Sequence, residues 1–264
     1  MLRFAIDKHY QMAGLFGIIS MCFRQNNIIW LLFVPIWLYV ETFGWHFSIR
    51  NCLYIFKKTW VFFIGLCCFI IFVKLNHGVA VGDTASHPAF NFSSGNLFFL
   101  LFWLFVLFLP LHLNNFFKIK SYLKNGKWPI ILSLALLFLY IFTFKNNHPY
   151  NNIGAHYFIR NFILVRFSSS VVWKSLFFIP LIYTFWSLIV TPFNRYSFLL
   201  LYIFTVLFLA PSWLIEQRYY IIPITLFMLF RQEQEKKVEQ ITSIYYIAII
   251  CLLIPFIVNM DVFL

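Results

Sequence analysis

The chain has 264 residues, of which 62% are hydrophobic and only 11% are charged. A soluble domain carries about 25% charged residues, and so short a chain could not bury 37 phenylalanines in one water-soluble core. These values exclude an ordinary soluble protein and indicate an integral membrane protein. The net charge of +12 does not indicate nucleic-acid binding, because no basic patch with interleaved aromatic residues stands outside the apolar segments.

The apolar segments, taken from the N-terminus, predict nine membrane spans separated by short polar stretches. Several are shorter than the roughly 20 residues that a straight transmembrane helix needs. The predicted spans are 11–23, 28–45, 60–73, 97–111, 129–144, 175–190, 197–211, 219–230 and 242–258. We therefore expect an all-α, polytopic membrane protein of about 8–9 transmembrane helices. Residues 1–264 are expected to form a single integral membrane domain.

With a cytoplasmic N-terminus, most lysines and arginines fall in the cytoplasmic loops, as the positive-inside rule requires. The basic-rich loops 118–127 and 231–240 are expected to be ordinary solvated charge. The unusual polar stretches all fall on the opposite, basic-poor side; they are 23–27, 75–92, 146–161 and 212–220. One face of the protein therefore has the composition of a binding site.

The stretch 75–92 is rich in turn-forming residues and contains Asp83 and His87, four positions apart. A carboxylate near an imidazole can transfer a proton or hold a sugar hydroxyl. The alternative is an aspartate that only satisfies the backbone of its own turn. The spacing matches no general catalytic motif, so both interpretations stay open.

The stretch "NNHPYNNIGAHYFIRN" (146–161) combines histidine, asparagine and tyrosine side chains. We single out His148, Asn151, His156 and Tyr157, because amides and imidazoles bind hydroxyl arrays and tyrosine rings stack on sugars. This composition is typical of a site for carbohydrate or a lipid headgroup. An interfacial loop is the alternative, since tyrosine collects at membrane boundaries. Zinc is disfavoured because the stretch offers no close ligand pair.

Two arginines interrupt apolar segments and are candidates for binding phosphate. A charge at mid-membrane costs roughly 2.5–3.5 kcal/mol, so Glu216 and Arg218 are expected to face a polar cavity or to pair with each other. Arg218 could bind a phosphate bidentately, with Glu216 holding it or a sugar hydroxyl. Arg24 and Gln25 could make a second phosphate contact. The alternatives are a structural salt bridge at Glu216–Arg218 and a plain loop at Arg24–Gln25.

Four blocks occur in an order that resembles a known enzyme family: "AGLFGIISMCFRQNNIIW", "VGDTASHPAFNF", "HPYNNIGAHYFIRN" and "LIEQRYYIIPI". They are similar to the dolichyl-phosphoglucose-dependent alpha-1,2-glucosyltransferases of the endoplasmic reticulum. "FRQNNIIW" and "RYYIIP" carry the resemblance most specifically. Gly154 and Ala155 stand where polar residues of the family are expected.

The resemblance implies a GT-C-class membrane glycosyltransferase of the endoplasmic reticulum that adds the last glucose to a lipid-linked oligosaccharide for N-glycosylation. It implies dolichyl phosphate glucose as donor and a lipid-linked oligosaccharide as acceptor. The sequence itself demands no metal, and no cofactor is expected. It also implies further N-terminal helices and an acidic motif in a first lumenal loop, supplying the catalytic base. This chain begins after that point, so we expect an N-terminally truncated form in which Asp83 is a weak candidate base.

Two other classes of function remain open at this stage. A transporter or channel subunit could use Glu216 and Arg218 as an intramembrane ion pair, although no repeated halves are evident. An inactive fragment of the transferase would explain the missing acidic motif. Transfer of lipid-linked glucose would distinguish the enzyme from both.

Overall fold

A computed structural model describes residues 1–79, 92–152 and 158–259. Within these ranges the backbone is helical and forms no β-strand, apart from an isolated antiparallel bridge between Phe193 and Arg231. The all-α prediction is therefore confirmed.

The helices follow the predicted apolar segments closely. The first eight are α1 (Leu2–Ile6), α2 (Tyr10–Phe23), α3 (Ile28–Phe43), α4 (Ile49–Lys58), α5 (Trp60–Leu75), α6 (Gly95–Leu107), α7 (Leu109–Asn114) and α8 (Phe116–Lys124). The next seven are α9 (Trp128–Thr143), α10 (Pro149–Asn152), α11 (Ile159–Ser168), α12 (Val171–Val190), α13 (Leu200–Leu209), α14 (Ile221–Phe230) and α15 (Lys236–Asn259). Short 3-10 turns at Gln25–Asn27, Tyr196–Leu199 and Gln217–Tyr220 lead into α3, α13 and α14.

Fewer helices than predicted have the length and composition to cross a membrane by themselves. Among the described residues three qualify: Gln25–Phe43, Val171–Val190 and Lys236–Pro255. The helix pairs α4–α5 and α8–α9 bend by 88° and 107°, and they raise the number to five if each pair is one span. Bends and polar breaks divide the other apolar segments into helices below the roughly 20 residues of a straight span.

The chain divides into two compact units. The first comprises 1–91 and 195–211, and the second comprises 92–194 and 212–264. In the first unit, α3 packs on α13 through aromatic pairs, with ring centroids 5.3 Å apart for Trp30–Phe208 and for Phe33–Phe204. The second unit contains the polar stretches 146–161 and 212–220.

Aromatic side chains from α6, α9 and α12 form the core of the second unit. Phe99, Tyr140, Phe144 and Phe177 are almost completely buried. Phe177 lies 5.9 Å from Phe144 and 6.2 Å from Tyr140 between ring centroids. Burial of each such ring contributes about 1.5–3 kcal/mol. This packing holds the N-terminal end of α6, where Asn96 lies, in a fixed position.

A polar cluster joins the α7–α8 junction of the second unit to the segment before α15. His112 lies 3.0 Å from Leu104 O through Nε2 and 2.8 Å from Ser187 Oγ through Nδ1. Because a carbonyl only accepts, Nε2 carries the proton and Nδ1 accepts from the serine hydroxyl. Asn115 donates to Ser187 Oγ at 2.9 Å and accepts from Gln234 Nε2 at 3.1 Å.

The expectation that 231–240 is solvated throughout is wrong for Arg231. Its side chain is buried and binds the Glu239 carboxylate through two bonds of 2.6 Å. The reason is that α15 begins at Lys236, so Glu239 lies in its first turn and faces Arg231. A bidentate guanidinium–carboxylate pair is among the strongest hydrogen-bonded contacts in proteins.

Stability should fall with acidification because of His112. Burial lowers its pKa to about 4, repulsion from Arg231 adds to this, and the hydrogen bond to Leu104 O opposes it. A histidine with a folded pKa below its unfolded value of about 6.5 stabilises fully above 6.5 and progressively less as pH falls towards 4. Between pH 7.5 and pH 5 we expect a loss of about 2 kcal/mol in the free energy of unfolding.

This loss can be measured by chemical unfolding in detergent micelles at several pH values. The matched variant is His112→Gln, which removes the titrating group and should lose less stability over the same interval. An equal pH dependence in the two proteins would contradict the assignment to His112.

Candidate functional site

The structure brings two of the predicted polar stretches into contact within the second unit. With its amide oriented as the hydrogen bonds require, Asn151 donates to Ile215 O at 3.2 Å and accepts from Ile215 N at 3.1 Å. The His148 ring packs edge-on against Trp213, with centroids 4.7 Å apart. Stretches 146–161 and 212–220, which the sequence placed on one side of the membrane, therefore meet through 148–151 and 213–215.

The asparagines around α10 also hold the shape of their own loop. Asn152 Nδ2 donates to Asn146 O at 3.1 Å and to His148 O at 3.3 Å. The Tyr150 N–H donates to His148 Nδ1 at 3.1 Å. His148 and Asn151 are buried, whereas half of the Tyr150 side chain is exposed. These contacts make His148 and Asn151 organisers of the loop, because their polar atoms face protein.

A buried carboxylate at Glu216 lies at the centre of the site. Its Oε1 accepts from Arg218 Nε at 2.6 Å and lies 2.5 Å from Arg218 Nη2. Arg160 Nη1 lies 3.5 Å from the same oxygen. We call Asn96, Arg160, Glu216, Arg218 and Tyr220 the Glu216 cluster. Two guanidinium charges and one carboxylate charge sum to +1, so the cluster can attract an anion.

Arg160 connects the Glu216 carboxylate to the loop around α10. The arginine is 7% exposed, and its Nε donates to Asn161 Oδ1 at 2.9 Å. Asn161 Nδ2 in turn donates to Tyr150 O at 2.8 Å. Burial lowers the pKa of the Arg160 guanidinium, while the nearby Glu216 carboxylate opposes that shift. A buried charge of this kind needs its counterion to be tolerated.

Asn96, in the first turn of α6, anchors the segment that carries Glu216. Its Nδ2 donates to Ser212 O and to Leu214 O, both at 2.8 Å. Its Oδ1 accepts from Glu216 N at 3.2 Å and from Tyr220 Oη at 2.9 Å. The side chain is fully buried, and one amide therefore satisfies four polar groups of a non-helical segment.

Arg218 is the member of the cluster that can still bind a ligand. Its side chain is 73% exposed, although Glu216 fixes one edge of the guanidinium. A guanidinium has about five N–H groups, and Glu216 Oε1 engages two of its nitrogens on that edge. Within the described residues no hydrogen bond reaches Nη1, so that side can bind a phosphate or carboxylate, which guanidinium binds bidentately.

The remaining predicted residues fall into two groups. Arg24 and Gln25 belong to the first unit, where Arg24 is an extended residue between α2 and the 3-10 turn Gln25–Asn27. Both are half-buried. Asp83, His87, His156 and Tyr157 lie outside the described residues.

Sequence reasoning missed Asn96, Arg160, Trp213 and Tyr220. Arg160 had a usable signal, because it is the single charge in the mostly apolar run "YFIRNFILV", and such charges are expensive in a membrane unless paired. Asn96 had none: its partners lie about 120 positions further along the chain.

The part of the chain that forms this site matches a known protein family. The model of the DIE2/ALG10 family matches residues 38–229. The chain belongs to the DIE2/ALG10 family. The match includes every member of the Glu216 cluster and leaves Arg24 and Gln25 outside.

Several curated proteins are similar to this chain. Each is named Dol-P-Glc:Glc(2)Man(9)GlcNAc(2)-PP-Dol alpha-1,2-glucosyltransferase. The Debaryomyces hansenii protein is 27% identical, covering 86% of this chain and 54% of its own length. The Candida albicans protein is 27% identical, covering 87% and 54%. A Homo sapiens protein is 29% identical, covering 69% and 39%.

The chain thus spans about half the length, or less, of these curated relatives. No solved structure matches it significantly.

Proposed function

We propose that this chain is the part of a DIE2/ALG10 alpha-1,2-glucosyltransferase that binds the lipid-phosphate donor. The whole protein would transfer glucose from dolichyl phosphate glucose to a lipid-linked oligosaccharide for N-glycosylation. Family membership and the names of the relatives support this activity. The family and the names of the relatives give no support to a transporter or channel subunit.

The observation that carries the proposal is the net positive Glu216 cluster with one open arginine edge. A departing dolichyl phosphate carries negative charge that must be stabilised as the glycosidic bond breaks. Arg218 would supply that stabilisation through its open edge, and Glu216 would hold the guanidinium in place. Pre-organised charge of this kind needs no rearrangement during the reaction.

The reaction we propose is an inverting displacement. The acceptor 2-hydroxyl oxygen forms a bond to the anomeric carbon while the bond from that carbon to the phosphate oxygen breaks. The bonding electrons leave with dolichyl phosphate, and a carboxylate takes the hydroxyl proton. A beta-linked donor then gives an alpha-linked product.

Glu216 is poorly suited to be that base. Its carboxylate is buried, and Arg218 and Arg160 both approach its Oε1, so it is not free to reach an acceptor hydroxyl. We propose that the base comes from an acidic loop expected in the family, and that Asp83 and His87 contribute to sugar binding. His156 and Tyr157 are proposed sugar contacts, whereas His148 and Asn151 position the segment that carries Arg218. Arg24 and Gln25 remain a proposed second phosphate contact.

Replacing Arg218 by lysine tests the proposal in the full-length protein. A lysine keeps the charge but loses the planar fork, so binding of the donor phosphate should weaken. We expect a decrease of about tenfold or more in kcat/KM for dolichyl phosphate glucose, which equals about 1.4 kcal/mol. Arg166→Lys is the matched control, because Arg166 stacks on Trp173 outside the cluster. Unchanged donor kinetics in Arg218→Lys would reduce the Glu216–Arg218 pair to a structural contact.

The architecture of the whole protein follows as part of the same proposal. We propose a single integral membrane domain of the GT-C class in the endoplasmic reticulum membrane, with about 8–9 spans in this chain if the short apolar helices cross in pairs or with tilt. The apolar helices α2 and α6 and the stretch Tyr196–Leu209 are candidates for such additional spans.

A further inference from the structure

Helix α4 of the first unit has no role in the site described above. It bends by 88° from α5, the apolar helix that follows it. Two helices at nearly a right angle cannot both run along the membrane normal. Helix α5 has no charge from Trp60 to Val73, whereas α4 has three basic residues among ten, and charges are costly inside a bilayer. When α5 crosses the membrane, α4 therefore lies along the membrane surface.

One side of α4 is apolar and is left uncovered by the protein. Ile49, Leu53 and Phe56 recur at the spacing of a single helical face, and they are 72%, 56% and 46% exposed. Ile55, on the neighbouring side of the helix, is buried and attaches α4 to the rest of the unit. A helix with such a bare apolar ridge can bury it at the boundary between lipid headgroups and acyl chains.

Aromatic side chains stand at both ends of α4. Trp45 and Phe47 precede the helix, Trp60 follows it at the bend, and all three are exposed. Tryptophan is enriched at the interface between membrane and water, where its ring contacts apolar and polar groups together. Aromatic residues at the two ends favour the same depth for both, which agrees with a helix that runs parallel to the membrane surface.

A basic edge adjoins the apolar ridge. Arg50 and Lys57 are exposed and lie seven positions apart, so both project from one side of the helix. No ion pair within the described residues engages either of them. The sequence has no acidic residue between Glu41 and Asp83, and Glu41 is paired with Arg195 at 2.7 Å. The positive charge of this edge is therefore available to anions outside the protein.

Hydrogen bonds at the two ends of α4 hold its orientation. Tyr39 Oη, on α3, donates to His46 O at 2.6 Å and accepts from Ser48 N at 3.0 Å, which fixes the residues that lead into α4. At the bend, the buried Thr59 hydroxyl donates to Ile55 O at 2.8 Å. The apolar and basic sides of α4 are thus set in place before any ligand binds, which lowers the entropic cost of binding.

We propose that α4 is an interfacial helix that binds the anionic surface of a lipid bilayer. Ile49, Leu53 and Phe56 enter the boundary between headgroups and acyl chains, while Arg50 and Lys57 bind the phosphates of anionic phospholipids. A zwitterionic phospholipid gains less from these two charges, because its own ammonium group balances its phosphate. The inference does not depend on the proposed function, since α4 holds none of the residues of the proposed site.

A photoreactive benzoylphenylalanine at Leu53 tests the proposal in this chain. The protein is placed in liposomes of phosphatidylcholine and phosphatidylglycerol with identical acyl chains, and mass spectrometry of the adducts gives the share of each lipid at α4. We expect phosphatidylglycerol to be enriched about fivefold or more over its share of the bilayer, the effect of one basic residue near an anionic surface. High salt should lower the enrichment, because it screens exposed charges.

Two double variants assign the enrichment to the basic edge. Arg50→Gln with Lys57→Gln should return the adducts to about the composition of the bilayer, since these side chains are exposed and the apolar ridge is unchanged. Lys236→Gln with Lys237→Gln is the matched control, because it removes two exposed basic residues at the start of α15. The control should keep the enrichment of the unaltered protein.

Three results would overturn the inference. Equal enrichment in the two double variants would exclude a role for the basic edge. Enrichment that does not change with salt would exclude a contact between exposed charges and headgroups. An absence of lipid adducts at Leu53 would show that protein, and not the bilayer surface, covers α4. Transfer of glucose plays no part in these measurements, so the inference can fail while the proposed function stands.

Discussion

Glu216→Gln is expected to lower the free energy of unfolding by about 3–5 kcal/mol, the cost of leaving a buried charge without its counterion. The charge in question is Arg160, whose side chain is as buried as the carboxylate it faces. The neutral amide keeps the size of the side chain, so the change removes charge without creating a cavity. Chemical unfolding in detergent micelles measures the loss.

Two further variants distinguish the loss of the counterion of Arg160 from the general effect of removing a carboxylate charge. Asp7→Asn makes the same chemical change in the exposed Arg3–Asp7 pair and should cost less than about 1 kcal/mol. Arg160→Met in the Glu216→Gln background removes the unpaired cation, and it should recover much of the lost stability. A double variant that is less stable than Glu216→Gln would show that Arg160 is held by its other contacts.

The sequence predicted the helical architecture because apolar composition is a local property of each segment. It also singled out Glu216 and Arg218, since charges at the edge of an apolar segment demand a partner. The two residues do pair, at 2.5–2.6 Å. The sequence could not show that Arg160 joins them, because Arg160 and Glu216 are 56 positions apart in the chain. In the structure Arg160 Nη1 lies 3.5 Å from Glu216 Oε1.

Exposure was the other quantity that the sequence could not provide. His148 and Asn151 are residue types that are common in sugar-binding loops, yet both are buried against 213–215. Arg231 belongs to a stretch with the composition of a solvated loop, yet its side chain is also buried. A histidine or arginine is equally able to bind a ligand and to satisfy a buried network. The environment that decides between these roles is set by residues distant in the chain.

Asn96→Leu should produce the second large effect, because it removes the amide that holds the segment 212–220. Leucine is similar in size to asparagine but removes the hydrogen bonds to four groups: the carbonyls of Ser212 and Leu214, the Glu216 N–H and the Tyr220 hydroxyl. Leu214 O keeps a longer bond from Ser212 Oγ at 3.4 Å. Each buried group that loses its hydrogen bond costs about 1–3 kcal/mol. Since the four losses are not additive, we expect a total of about 3 kcal/mol or more.

Hydrogen–deuterium exchange locates the effect and distinguishes it from general destabilisation. In Asn96→Leu the amides of 212–220 should exchange faster than those of the aromatic core in α12, which keeps its packing. Tyr220→Phe is the graded control: it breaks one of the four hydrogen bonds and should cost about 1 kcal/mol. If exchange rises equally in α12 and in 212–220, Asn96 stabilises the whole unit and has no special role in holding Arg218 at the site.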